Sequence, residues 1–157
     1  MDLKSKIILI SGPTASGKTN FAVKLAKKIN GEIINADSMQ VYKELKILTA
    51  RPSKNEQKNI KHHLYGFQSV KKIFSTGSWL KLAIKKIKEI KKRKKIPILV
   101  GGTGLYFKSL IDGLVKIPKI SLEKRKSIIN LQKKNWTKNF LSKINSTRPK
   151  NKKNCKY

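Results

Sequence analysis

The segment "SGPTASGKTN" restricts the fold of this chain more than any other feature of its sequence. Residues 12–19 match the phosphate-loop pattern G-x-x-x-x-G-K-[ST]. The apolar run Ile7–Ile10 predicts a buried strand before the loop, and apolar spacing predicts a helix over Asn20–Ile29 after it. This motif requires a strand on one side and a helix on the other. The sequence therefore predicts an α/β fold with a phosphate site after its first strand.

The phosphate loop brings three kinds of group to an anion. Its glycines let backbone N–H groups turn toward phosphate oxygens, and the following helix adds the partial positive charge of its N-terminus. Lys18 supplies a full positive charge, and the hydroxyl of Thr19 is placed to hold Mg²⁺. The predicted diphosphate- or nucleotide-binding residues are Gly12, Pro13, Thr14, Ala15, Ser16, Gly17, Lys18 and Thr19.

The other elements follow from hydrophobic spacing and turn residues. Gly31 is expected to end the first helix, and Ser53 with Glu56 forms the capping-box pattern of a short helix within the loop-rich region 38–74. The apolar face of the first helix is predicted to comprise Phe21, Ala22, Leu25, Ala26 and Ile29. Further predicted elements are strands at Glu32–Asn35 and Ile96–Val100, helices at Ser78–Lys92 and Gly104–Leu114, and two helical stretches within 121–143.

Strands that alternate with helices pair in parallel through right-handed crossovers. We therefore predict a P-loop NTPase-like parallel sheet flanked by helices, with a partial helical extension at its C-terminal end. The predicted division is a catalytic core at 1–118 and an incomplete basic helical segment at 119–157.

Ligands of such sheets bind beyond the carboxyl ends of the strands, so the residues after each predicted strand are candidates for the site. Among the eight acidic residues, Asp37 alone lies at the carboxyl end of a predicted core strand near the phosphate loop. Two roles are open for its carboxylate: a catalytic role, or the cap of a following helical turn.

The third strand ends in the segment "GGTG", residues 101–104. Common ATPases place an acidic residue here to organise Mg²⁺ and water. The glycines instead allow close backbone approach to a ligand, and Thr103 offers a neutral hydroxyl. This pattern disfavours an ATP-driven motor and favours a transferase that uses the loop on a diphosphate, although a plain tight turn would give the same residues.

The composition adds a strong charge and excludes some classes. With 38 basic and 8 acidic residues the net charge is +30, which suits a nucleic-acid partner. The same charge is equally typical of proteins encoded by an AT-rich genome, whose codon usage raises the lysine content. One cysteine excludes an internal disulfide, and the adjacent His62 and His63, without a third histidine, do not suggest a metal site. No apolar stretch is long enough for a signal peptide or a membrane span, so we expect a cytoplasmic protein without membrane contact.

Five segments occur in a fixed order: "GPTASGKT", "ADSMQVYK", "TARPS", "HHLYG" and "PILVGGTGLYFK". Together they resemble the tRNA dimethylallyltransferases, also called tRNA isopentenyltransferases, from about Ile7 to Pro118. The resemblance implies transfer of a dimethylallyl group from dimethylallyl diphosphate to N6 of the adenosine 3′-adjacent to the anticodon in tRNA. The phosphate loop would then hold a leaving group, with Lys18, Thr19, Mg²⁺ and the loop amides stabilising the departing pyrophosphate.

The resemblance also implies roles for individual residues. Asp37 matches the general base that accepts a proton from the adenine amine, and Thr103 matches a hydroxyl near the reacting part of the substrate. Ser38, Met39 and Gln40 match a segment that contacts the flipped-out nucleotide. Flipping is required because a stacked adenine cannot present N6 to a recessed allylic carbon. The expected partners are tRNA and dimethylallyl diphosphate, with the protein acting as a monomer.

Arg125 falls where the family places a basic tRNA contact, although an exposed cation of a basic helix is an equal interpretation. Family members run to about twice this length, and the segment that they carry with the pattern Q-R-x-x-R-A is not found here. We therefore expect slow or absent transfer and poorly discriminating RNA binding. Two alternatives stay open: a small-molecule kinase that binds ATP, with Asp37 activating a hydroxyl, and a basic RNA-binding remnant without chemistry.

Overall fold

A computed structural model describes residues 6–115 and 120–134 of the chain. The described residues fall into two units, divided between Leu114 and Val115. The first unit holds four strands and four helices within its described part: β1 Ile8–Ser11, α1 Lys18–Ile29, β2 Gly31–Asn35, α2 Lys54–Gln57, β3 His62–His63, α3 Thr76–Lys92, β4 Ile96–Gly101 and α4 Gly104–Asp112. The second unit contains α5, Leu122–Lys134.

The four strands form one sheet in the order β1-β4-β2-β3, and all neighbouring pairs are parallel. The predicted parallel α/β sheet is therefore confirmed. β3 was not predicted, because two residues give no period that a pattern could reveal. It is defined by its pairing with β2, where Ile33 lies opposite His62 and Ile34 opposite His63.

The two faces of the sheet bury alternate residues of the same strands, as the pleat of a β-strand requires. Ile33, Ile98 and Val100 pack with α1, through Ala22, Val23 and Ala26. Ile34 and Leu99 point to the other face and pack with α3 and α4. On α1 one residue of the predicted apolar face was wrong: Phe21 is 59% exposed, and Val23, which was not predicted, is buried. Leu25 and Ile29 are partly buried, which places them at the edge of the contact.

The helix boundaries largely follow their predicted caps. The capping box of α2 is confirmed, since the Ser53 hydroxyl accepts from Glu56 N and the Glu56 carboxylate accepts from Ser53 N. α3 begins two residues earlier than predicted, with Ser75 as its N-cap. The prediction for Gly31 was wrong: Asn30 ends α1 in the left-handed conformation, and Gly31 opens β2. A Cβ at Gly31 would lie 2.7 Å from Ile98 Cδ1, so glycine permits the close approach of β2 to β4 there.

A buried carboxylate near the start of β2 connects this strand with β3 and with the segment between α3 and β4. Glu32 is 1% exposed, and its carboxylate lies 2.7 Å from His63 Nε2, 2.7 Å from Arg93 Nη2 and 3.5 Å from Lys95 Nζ. Burial raises the pKa of Glu32, but hydrogen bonds from Arg93 and His63 outweigh it and lower this pKa to about 2. Among the described residues, no group of three or more potential metal-ligating side chains is found.

α5 confirms the first of the two helical stretches predicted within 121–143, and the second lies outside the described residues. No helix in 6–115 or 120–134 is both long and apolar enough to cross a membrane.

Candidate active site

A cavity of about 530 Å³ opens at the carboxyl ends of the strands, where the sequence predicted the site. Its wall includes the phosphate loop, the end of β4 and Asp37 after β2. The lining residues are Thr14, Ala15, Ser16, Gly17, Lys18, Thr19, Asn20, Asp37, Gln40, Thr49, Ala50, Glu56, Lys58, Tyr65, Val100 and Gly101. Ser38, Met39 and Thr103 are not among these residues in the described part of the chain.

The phosphate loop has the tight backbone that its sequence predicts. Gly17 takes a φ of 77° immediately before α1, and Ala15 has a φ of 63°, a value that non-glycine residues rarely adopt. The carbonyl of Pro13 accepts hydrogen bonds from Ser16 Oγ at 2.8 Å and from Lys18 Nζ. Lys18 Nζ also lies 3.3 Å from Ser16 Oγ. The ammonium group is thus held over the loop, at the N-terminus of α1.

Asp37 takes the capping role that the sequence left open, and its catalytic role stays a prediction. Its Oδ1 accepts from Met39 N at 2.8 Å and from Gln40 N at 3.4 Å, which caps the turn that follows β2. Neither bond uses Oδ2, which faces Gly102. One carboxylate oxygen therefore fixes the side chain, and the other remains directed toward the end of β4.

Thr103 ties the end of β4 to the turn after β2. Its Oγ1 accepts from Ser38 N at 2.9 Å and lies 3.3 Å from Ser38 Oγ, and its N–H donates to Ala36 O at 3.2 Å. The Thr103 hydroxyl thus bonds to Ser38, the residue after Asp37, and holds the turn that carries Asp37. Of the three residues predicted to contact a nucleotide, Met39 is 51% exposed, and Ser38 and Gln40 are half-buried.

Gly101, the last residue of β4, is needed by the protein itself. A Cβ at Gly101 would lie 2.1 Å from Ala36 O and 2.7 Å from Asp37 N, so no side chain fits there. A Cβ at Gly102 would be 3.4 Å from Gly12 O. The sequence predicted close approach to a ligand, and at Gly101 the structure shows close approach to the neighbouring strand end instead.

Asn35, the last residue of β2, was missed as a site residue. It is fully buried, and its amide nitrogen donates to Asp37 O at 2.9 Å and to Leu64 O at 3.1 Å. Its amide oxygen accepts from Asp37 N at 3.0 Å. The available signal was a polar residue at the end of an apolar strand, two positions before the candidate base.

Two tyrosines close to the site were also missed. Tyr65 lines the cavity, and burial together with the nearby charge of Asp37 raises the pKa of its phenol. Tyr106 stacks on Trp79 with ring centroids 4.2 Å apart, and burial, Tyr42 and Asp37 raise its pKa to about 12. Trp79 Nε1 in turn donates to Asn35 O at 2.9 Å. Both phenols stay protonated at neutral pH, so each is a neutral neighbour of Asp37.

The cavity offers the oxygen donors that Mg²⁺ prefers. The hydroxyls of Thr14, Ser16 and Thr19 and the carboxylate of Asp37 belong to residues in its wall. Mg²⁺ is commonly bound by one or two carboxylates together with substrate phosphates. This donor set fits a magnesium diphosphate. Arg125 lies exposed on α5 in the second unit, and its predicted contact with tRNA stays a prediction.

Comparison with known proteins decides the family of this chain. The family model described as IPP transferase matches residues 40–156. The chain belongs to the IPP transferase family. A tRNA dimethylallyltransferase of Pelagibacter ubique (strain HTCC1062) is 70% identical over 150 residues, which are 96% of this chain and 48% of that relative. One from Parvibaculum lavamentivorans is 50% identical over 123 residues, or 78% of this chain and 39% of the relative.

Solved structures agree with the fold. The full-length tRNA isopentenylpyrophosphate transferase of Bacillus halodurans matches with a TM-score of 0.70 and 36% identity, covering 92% of this chain and 48% of the other. A eukaryotic dimethylallyltransferase acting on tRNA matches with a TM-score of 0.71 and 33% identity, covering 78% of this chain and 31% of the other. The predicted P-loop NTPase-like fold is confirmed. The IPP transferase chain spans about half the length of the curated relatives it matches, or less.

Proposed function

We propose that this IPP transferase chain moves a dimethylallyl group from dimethylallyl diphosphate to N6 of the adenosine 3′-adjacent to the anticodon in tRNA. The observation that carries the proposal is the placement of Asp37 and the phosphate loop in the wall of one cavity. An anion site and a carboxylate base are the two groups that this alkylation needs. The names of the relatives, tRNA dimethylallyltransferases, supply the substrate class.

The phosphate loop would bind the diphosphate. Lys18 contributes a full positive charge, and the N-terminus of α1 contributes a partial one. Mg²⁺ bound at Thr19 would neutralise part of the diphosphate charge. These groups would stabilise the negative charge that develops on the pyrophosphate as it leaves. Electrostatic stabilisation of that charge accelerates this step of the reaction.

Asp37 would act on the attacking nitrogen. The bond from adenine N6 to the allylic carbon forms as the bond from that carbon to the diphosphate oxygen breaks, and the electron pair leaves with pyrophosphate. The N6 proton passes to Asp37, whose Oδ1 is held by Met39 N and Gln40 N. We assign the acceptor to Oδ2, since neither bond engages it. Thr103, which fixes Ser38 through its backbone N–H, would orient the nucleotide-contacting segment 38–40.

tRNA would be the macromolecular partner, and the large positive charge of the chain suits its phosphates. A tRNA substrate implies a cytoplasmic location, and we propose action as a monomer because each group named above comes from one chain. A small-molecule kinase and an RNA-binding remnant find no support in the names of the relatives.

The test is a single-turnover reaction with protein in excess over unmodified tRNA and labelled dimethylallyl diphosphate. We expect incorporation of label at N6 of that one adenosine, because the phosphate loop and Asp37 lie in the wall of one cavity. Asp37→Asn is the matched control and should show no incorporation above background. A parallel reaction with labelled ATP should give no phosphorylated product. Absence of label in tRNA, with diphosphate bound, would contradict the proposal.

A further inference from the structure

Asn35 makes more contacts with the candidate site than its place at the end of a buried strand requires. Both donors of its amide and the amide oxygen are engaged, and all three bonds go to Asp37 or Leu64. The Asn35 side chain is fully buried, and its own carbonyl accepts from Trp79. A fully satisfied buried amide of this kind fixes one arrangement of its partners, because any other leaves a polar group without a bond.

We propose that Asn35 is a positioning residue that sets the orientation of the Asp37 carboxylate. This inference rests on the proposed function, in which Asp37 accepts the proton. The amide contacts both the N–H and the carbonyl of Asp37, so it holds the peptide planes on both sides of that residue. The backbone sets the direction of the Asp37 Cα–Cβ bond, and the bonds from Met39 N and Gln40 N then hold the carboxylate. Asn35 thus acts through Asp37 and does not itself line the cavity within the described part of the chain.

The second partner, Leu64, connects Asn35 to another part of the same wall. Leu64 has a φ of 62°, an unusual value for an apolar residue, and the bond from Asn35 Nδ2 to Leu64 O spans 29 residues of sequence. The next residue, Tyr65, lines the cavity beside Asp37. One amide therefore sets the relative placement of the base and of the tyrosine that faces it.

The chemistry of the bonds separates asparagine from its closest substitutes. Aspartate would direct a second carboxylate oxygen at two carbonyls, those of Asp37 and Leu64, and would repel both. Serine can still accept from Asp37 N in a short turn, but one hydroxyl cannot donate to two carbonyls. Alanine removes all three bonds. Substitution of Asn35 by alanine or aspartate should therefore perturb the Asp37 carboxylate most, and substitution by serine should perturb it less.

The experiment combines kinetics with carboxylate NMR. Asn35→Ala should lower the single-turnover rate about 10- to 100-fold while dimethylallyl diphosphate affinity stays within about twofold, since the phosphate loop is not contacted. Asn35→Ser should fall between alanine and the parent, and it replaces Asn35→Ala if that variant does not fold. Ser109→Ala is the matched control, because Ser109 is equally buried and bonds only within α4 among its described contacts, to Tyr106 O.

The NMR measurement does not depend on transfer. The sequence has three aspartates, Asp2, Asp37 and Asp112, so ¹³Cγ-labelled aspartate gives few signals, and Asp37→Asn assigns the relevant one. The Asp37 signal should shift or broaden in the Asn35 variants and stay unchanged in Ser109→Ala. An unchanged Asp37 signal in Asn35→Ala, or a rate equal to that of the parent, would overturn the inference. If the parent shows no transfer but the Asp37 signal still shifts in the Asn35 variants, the proposed function is refuted and the positioning role remains supported.

Discussion

Gly101→Ala is the substitution whose effect follows most directly from the geometry of the site. The new Cβ would lie 2.1 Å from Ala36 O, 2.2 Å from Ala36 C and 2.7 Å from Asp37 N, whereas ordinary contacts begin at 3.4 Å. All three atoms belong to backbone, so no side-chain rotation relieves the overlap. The ends of β4 and β2 must separate by more than 1 Å. That movement weakens the bonds from Ala36 N to Val100 O and from Thr103 N to Ala36 O.

The expected cost is about 3 kcal/mol, at the upper end for overpacking of a well-packed region, because both strand ends are held by other bonds. For a chain of this size the melting temperature should fall by roughly 6–12 °C. Gly104→Ala is the matched control: a Cβ there meets nothing within 4 Å, and the residue opens α4. Its melting temperature should equal that of the parent or exceed it slightly.

Thermal unfolding followed by circular dichroism tests the loss of stability. Calorimetry of dimethylallyl diphosphate binding tests the effect on the site. A folded Gly101→Ala protein should bind the diphosphate nearly as the parent does, because the new Cβ clashes with Ala36 and Asp37 and not with the phosphate loop, and should lose transfer by about 10²-fold. Equal melting temperatures and equal transfer rates for Gly101→Ala and Gly104→Ala would refute the argument.

Three further predictions concern single charged groups. Lys18→Ala should abolish diphosphate binding by calorimetry without changing the melting temperature, since Nζ bonds only to the exposed loop among its described contacts. Asp37→Asn should lower the transfer rate by ~10²–10⁴-fold with stability unchanged, because Asn retains the Oδ1 acceptor of the turn. Glu32, with its pKa lowered from 4.5 to about 2, contributes about 3 kcal/mol above pH 4.5, and this is lost as the pH falls toward 2. Chemical denaturation should show that fall in the parent and in Glu89→Gln, and a much weaker one in Glu32→Gln.

Local patterns were sufficient to predict the parallel sheet, the phosphate loop and the position of Asp37 after β2. Each of these depends on residues within a few positions of one another: an apolar run, glycines at fixed spacing, or an acid directly after a strand. The error on α1 was also local: Phe21 and Val23 lie about 100° on either side of the buried Ala22, and apolar spacing does not decide which flank faces the sheet. Asn30 ended α1 where Gly31 was expected, because asparagine also adopts the left-handed conformation.

The features that the sequence did not reveal depend on contacts between distant residues. β3 exists through its pairing with β2, and the role of Asn35 depends on Leu64, 29 residues away. Lys58 and Tyr65 enter the cavity wall from the loop-rich region, where no period predicts direction. No spacing rule shows that a polar residue at a strand end will bond to a loop rather than to water.

The placement of Asp37 shows why so few residues suffice to define this site. Three backbone approaches meet at the turn after β2: Gly101 lies against Ala36, Thr103 Oγ1 holds Ser38 N, and the Asn35 amide holds Asp37 on both sides. Each approach involves a different residue of the three-residue segment 36–38, so the segment has little freedom to move relative to β4. A carboxylate fixed in this way needs no further charged partner to orient it. Its precision instead depends on small and neutral residues, and their substitution should impair chemistry more than diphosphate binding.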